Sequence, residues 1–124
     1  MHYYVNNNSH VKIPGKKTPK FLLNNKIMPF IQPCSMYTKL IYEKVGGLDF
    51  ETFKISGDLD FFMKIAKKST KSFSYINEVS AIFLKHGNSL GDNNSDLSKK
   101  EVNLIKTNSN FFTKNLAKII FKLT

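Results

Sequence analysis

Apolar and polar positions follow two rhythms along the 124 residues. At the start, Tyr3-Tyr4-Val5 and Val11-Lys12-Ile13 flank an Asn-Asn-Asn-Ser turn, a spacing that predicts a small β-hairpin. Pro14-Gly15 ends it, and a polar connection follows that holds Pro19. Residues 21–33 are apolar but broken by Asn24-Asn25, Pro29 and Pro33. They predict a short helix or loop leading into a strand around Phe30-Ile31.

From Thr38 the rhythm changes to threes and fours. Thr38 can cap a helix through Val45 that buries Leu40, Ile41 and Val45, with Gly46 or Gly47 as its left-handed stop. A second helix is predicted from Gly57-Asp58 to about Lys68, with Leu59, Phe62, Met63, Ile65 and Ala66 on its apolar side. Residues 73–76 and 79–84 then read as two short strands around the Asn77-Glu78 turn.

Further on, Ser98 and Glu101 have capping-box spacing, with Leu97 and Val102 at the staple positions. A break is predicted near Asn108-Ser109-Asn110. Beyond it Phe112, Leu116, Ile119, Ile120 and Leu123 repeat at helical spacing, with Lys114, Lys118 and Lys122 four apart on another face. The tail is thus expected to be a basic amphipathic helix over 108–124, appended to a domain over 1–107.

Composition narrows the classes. The length allows one domain, and 41% hydrophobic residues with 13% aromatic describe a chain that folds. A lone cysteine, Cys34, excludes an internal disulfide framework and suits a reducing compartment. No apolar run approaches the roughly 18 residues of a membrane span, and MHYYVNNNSH lacks the apolar core of a signal peptide. A cytoplasmic protein is expected, with the tail helix available for peripheral contact with the inner face of the plasma membrane.

The formal charge of +10 comes with nineteen lysines and no arginine. A positive field attracts polyanions, but scattered lysines without the guanidinium fork argue against dedicated nucleic-acid readout. His2, His10 and His86 lack zinc-ligand spacing. Residues 92–96 begin like a calcium loop, but Leu97 stands where the glycine is required and Asn103 where the closing glutamate is. No glycine-rich phosphate loop and no G-x-S-x-G is present.

The run over 37–85 holds Gly46-Gly47-Leu48-Asp49 and Gly57-Asp58-Leu59-Asp60, and His86-Gly87-Asn88-Ser89 follows it. This succession resembles the C-terminal, acceptor-side half of family-2 glycosyltransferases of the GT-A fold. The resemblance spans roughly residues 3–105 and is most specific over 37–89. It implies an α/β, Rossmann-like domain portion with short strands, two or three helices and the amphipathic C-terminal helix.

By that resemblance, a nucleoside-diphosphate sugar would be the donor and a saccharide or lipid-linked sugar the acceptor, in surface polysaccharide synthesis with inversion at C1. Asp58 would be the catalytic base, with Asp60 as the alternate or a structural neighbour. His86, Gly87, Asn88 and Ser89 would face the sugar diphosphate, with His86 near a divalent metal, Mg or Mn. Asp49 would cap or contact the acceptor loop. On spacing alone, Asp58 and Asp60 equally suit a helix N-cap and a first-turn charge. Asp58-Leu59-Asp60 also spells the D-x-D metal motif, but it lies after the Gly-Gly-Leu-Asp turn instead of before it.

Two departures concern single residues. Lys64 stands where an arginine is common in related sequences, and Leu48 where an aromatic residue is. The largest is that a complete domain of this type would place a nucleotide-binding half, with its metal motif, before residue 1. Without that half these residues alone are expected to be inactive. The alternatives are a non-catalytic remnant, a subunit completed by a separate N-terminal chain, and a basic membrane-surface or nucleic-acid adaptor.

Overall fold

The structure is a computed structural model that describes residues 2–6, 9–13, 15, 16, 18–69, 73–76, 78, 80–84 and 93–123. The expected hairpin forms from β1 (His2–Asn6) and β2 (Ser9–Ile13), paired antiparallel with Tyr4 opposite Val11. β3 (Ala81–Leu84) adds to the other edge of β1 in parallel, giving the order β2-β1-β3. Helices dominate the rest of the described chain.

α1 (Pro19–Asn24) begins at a proline, whose missing N–H is no loss in a first turn. It packs against the third helix and buries Leu22 and Leu23 completely, Leu23 within the core around that helix. No strand follows at Phe30-Ile31, where a single 3-10 turn, Gln32–Cys34, forms instead. Pro29 and Pro33 each lack a ladder donor. The Phe30 ring is instead held edge-on against Phe62, centroids 4.9 Å apart.

α2 (Lys39–Val45) starts and stops where local chemistry directs. Thr38 Oγ1 accepts from the Ile41 amide at 3.3 Å, and Gly46 closes the helix at φ 86°. Gly47 continues the turn at φ 70°, and a Cβ there would lie 2.9 Å from the Tyr42 ring, so only glycine fits. Leu40, expected in the core, is 76% exposed, because Ile41 and Val45 form the face that meets the third helix.

α3 (Gly57–Lys68) is the centre of the fold. The five predicted core residues are buried, and so are Phe61 and Asp60. Its helical stripe is wider than the sequence rhythm implied, because Tyr37 and Tyr42 cover a second side. Phe61 lies 4.9 Å from the Tyr37 ring and 5.5 Å from Tyr42, centroid to centroid. Edge-to-face pairs of this kind add to simple burial.

Residues 73–76 form no strand. Phe73 turns inward toward Phe30 and the core, while Tyr75 and Ile76 stay exposed. α4 (Ser95–Leu104) starts three residues before the Ser98 expected as its cap, and Asn94 takes the N-cap position. The Ser98 amide bonds to the Asn94 carbonyl at 3.0 Å, so the Ser98–Glu101 capping box does not form. Leu97, half exposed, is no staple, although Val102 packs on the core.

α5 (Phe111–Leu123) follows the predicted break. Its start is capped reciprocally, with Asn110 Oδ1 accepting from the Thr113 amide at 2.9 Å and Thr113 Oγ1 from the Asn110 amide at 3.1 Å. The helix packs against α1, with Ala117 fully buried, and the Thr107 hydroxyl donates to the Asn24 carbonyl before it. No helix among the described residues is long and apolar enough to cross a membrane.

The lysines have a structural use that composition hides. Lys68 Nζ donates to the Lys44 carbonyl at the end of α2, and Lys20 to Ser69 at the end of α3. Lys26 reaches the Val102 carbonyl in α4, and Lys67 reaches Lys106 beyond it. A cation at a helix C-terminus satisfies orphan carbonyls and complements the dipole. These four lysines therefore bind the chain to itself.

Candidate active site at the start of α3

The corner is assembled between the Gly46-Gly47 stop and the first turn of α3. Asp49 Oδ1 accepts from the Thr52 amide at 2.9 Å and folds residues 49–52 into a tight turn. The Phe53 amide closes onto the Asp49 carbonyl at 3.2 Å. A Cβ on Gly57 would stand 3.8 Å from that carbonyl, so the Asp49 turn lies against the start of α3. Hydrogen bonds from the Thr52 backbone and side chain hold the Asp49 carboxyl below its ordinary range. Asp49 therefore caps a turn.

The next three residues are held from far along the chain. The amides of Lys54, Ile55 and Ser56 all donate to the Glu101 carboxylate, at 2.8, 3.0 and 2.8 Å. Successive N–H groups of this kind form a concave anion seat, and here a glutamate of α4 occupies it. Burial by itself would raise the Glu101 carboxyl, but the amides of Lys54, Ser56 and Ile55 outweigh it and hold the acid below its usual range. Glu101 is 3% exposed.

Glu101 therefore fixes the origin of α3. Glu101→Gln is expected to lower the melting temperature by several degrees at neutral pH, since one oxygen becomes a donor facing donors. A group whose folded acidity lies below its unfolded value contributes stability above the unfolded value and loses it as pH falls through the folded one. The melting difference between wild type and variant should accordingly shrink in acid, which melts across a pH series would measure.

Asp58 and Asp60 sit in the first turn of α3 but in different surroundings. Asp60 is buried, and Lys64 Nζ lies 2.6 Å from its Oδ2, one turn along the helix. That oxygen is paired, although the approach falls outside hydrogen-bond angles. The pairing gives Lys64 a role of its own and sets a cation on the buried Asp60 carboxylate.

Asp58 is half-buried, and among the described residues no lysine pairs with it. Burial pushes its carboxyl above the ordinary range, against the opposing pull of the Leu59 amide, which donates to Oδ1 at 2.7 Å, and of its own amide. A half-buried carboxylate without a partner cation is poised to accept a proton.

His86, Gly87, Asn88 and Ser89 lie outside the described residues. Among the described residues no three His, Cys, Asp or Glu side chains converge as a metal site, and the Asp60 carboxylate is already taken by an ammonium. An open pocket of about 460 Å³ lies elsewhere, lined by Thr18, Pro19, Lys20, Phe21, Asn24 and Phe73, and includes neither Asp49 nor Asp58.

Sequence reading missed Glu101 as a site residue. Its spacing from Ser98 suggests a local capping role, and no local signal ties it to residues 54–56. Compared with known proteins, the chain matches no family model, no curated protein and no solved structure.

Proposed function

We propose that this chain is the acceptor-side portion of a GT-A-type glycosyltransferase, and that Asp58 is its base. The observation that carries the reading is the state of Asp58: half-buried, held at a helix start, less acidic than an ordinary aspartate and unpaired among the described residues. In transfer, Asp58 would take the proton of the acceptor hydroxyl as that oxygen forms a bond to C1 of the donor sugar. The bond from C1 to the diphosphate breaks, and the nucleoside diphosphate leaves with the electron pair.

The parts of the corner divide the work. Glu101 holds the origin of α3, and Asp49 shapes the loop beside it. The nucleotide-binding half and the divalent cation that such an enzyme uses would come from elsewhere, so donor chemistry is not assigned to any described residue. The described residues are mostly helical with one small mixed sheet, so the α/β GT-A part of this reading rests on the sequence resemblance.

Saccharide binding tests the reading on the chain as it is. Neutral, amino and acidic oligosaccharides titrated to millimolar concentration should shift backbone NMR signals clustered over 49–60. A well-dispersed spectrum that moves nowhere in that segment with any of them would remove the acceptor-site assignment.

A further inference from the structure

We propose that α5 is a membrane-surface helix that binds anionic lipid bilayers, independently of any reaction at Asp58. Among the described residues the helix is docked on one side only. Ala117 is fully buried, Ile120 and Phe121 are half-buried, and Lys16 Nζ sits 5.0 Å above the Phe121 ring. At about 100° per residue, Phe112, Leu116, Ile119 and Leu123 fall within an arc of about 60°, centred about 120° from the docked side.

Phe112 is 73% exposed, Ile119 54% and Leu123 80%, Leu116 less so at 39%, with Phe111 at 82% at the helix start. Single exposed apolar residues need no explanation, but a contiguous row of them does. The thirteen-residue helix carries no acid, while Lys114, Lys118 and Lys122 are exposed along its length. Unlike Lys20, Lys26, Lys67 and Lys68, none of these three is engaged with a helix-end carbonyl among the described residues.

Charge decides the occupant. A second copy of this chain would bring another +10 and the same three lysines to the contact, whereas a bilayer with anionic headgroups offers acyl chains for the apolar row and counter-charge for the lysines. Phe and Leu enter the headgroup boundary while lysine stems extend back to the phosphates. A helix about 20 Å long can lie flat in that boundary.

Flotation of the full chain with phosphatidylcholine vesicles, against equimolar phosphatidylcholine and phosphatidylglycerol, tests this. Wild type should float with the anionic vesicles alone and be released by high salt. Lys114→Gln, Lys118→Gln and Lys122→Gln together should weaken partitioning by roughly a hundredfold. Phe112→Ser with Ile119→Ser should abolish it, and these exposed positions leave the core intact, which an unchanged melting curve would confirm. The proposal is overturned if wild type floats with neither vesicle, if the serine variant still floats, or if sedimentation shows a dimer that these serines dissociate.

Discussion

Replacing Asp58 by asparagine is expected to slow glycosyl transfer by about 10² to 10⁴-fold and to make the fold more stable at neutral pH. The two effects have one cause. Burial raises the folded acidity constant of Asp58 above its unfolded value, so the protonated form is the one the native state prefers. Such a group contributes stability below the unfolded value and loses it as pH rises through the folded one. At neutral pH the charged carboxylate is therefore a cost, and asparagine, of the same shape, removes it. Loss of transfer coupled to gain of stability is the usual mark of a residue retained for function.

Two measurements separate the parts of that expectation. Transfer is assayed with the nucleotide-binding half supplied, in one chain or as a second one. Melting of the isolated chain is compared at neutral pH and near pH 3, where Asp58 is largely protonated in both states and the variant's advantage should fade. Transfer that survives the substitution would remove Asp58 from the reaction. A variant less stable at neutral pH would show that its contact with the Leu59 amide outweighs the cost of burial.

The largest loss of stability is expected at Phe61. Its side chain is 1% exposed and meets the rings of Tyr37, Tyr42 and Phe62. Phe61→Ala empties a space in the middle of that stack, which the rigid rings around it cannot close, and should cost about 3–5 kcal/mol. Against a total of about 5–15 kcal/mol for a domain, the variant should be near its unfolding midpoint in mild urea. Leu40→Ala, at a position 76% exposed, serves as the control and should change stability by less than about 0.5 kcal/mol. Equal losses at the two positions would mean that α3 is not the packed centre of the protein.

The contrast between Phe61 and Leu40 shows what the sequence could reveal. Thr38, Gly46 and Gly57 mark helix ends through groups within four residues, so α2 and α3 were readable with nearly their observed bounds. Which face of α2 is buried depends on where α3 lies, and Leu40 was placed in the core on periodicity alone. Phe61 was left out for the converse reason: its side of α3 is covered by Tyr37 and Tyr42, which no helical rhythm reports. The apolar Phe30-Ile31 was read as strand, but a strand needs an edge to pair with, and Phe30 serves the core as a ring instead.

The site was legible to the same depth. Asp58 and Asp60 were both visible at a helix start, but their separation into an open and a paired carboxylate required the position of Lys64 Nζ. Glu101 was assigned to its own helix because Ser98 stood three residues before it. Its actual partners are 45 to 47 positions earlier, beyond any local signal.

That distance also sets an order of events during synthesis. The ribosome releases the chain from its N-terminus, so the residues of α3 emerge well before Glu101 does. Until α4 arrives, the amides of residues 54–56 are solvated and the first turn of α3 frays. Closing a loop of this length is an entropic cost met before the contact can reward it. A nascent chain therefore holds Asp58 long before it holds it in place, and a chain ended before residue 101 would keep the carboxylate and lose its setting.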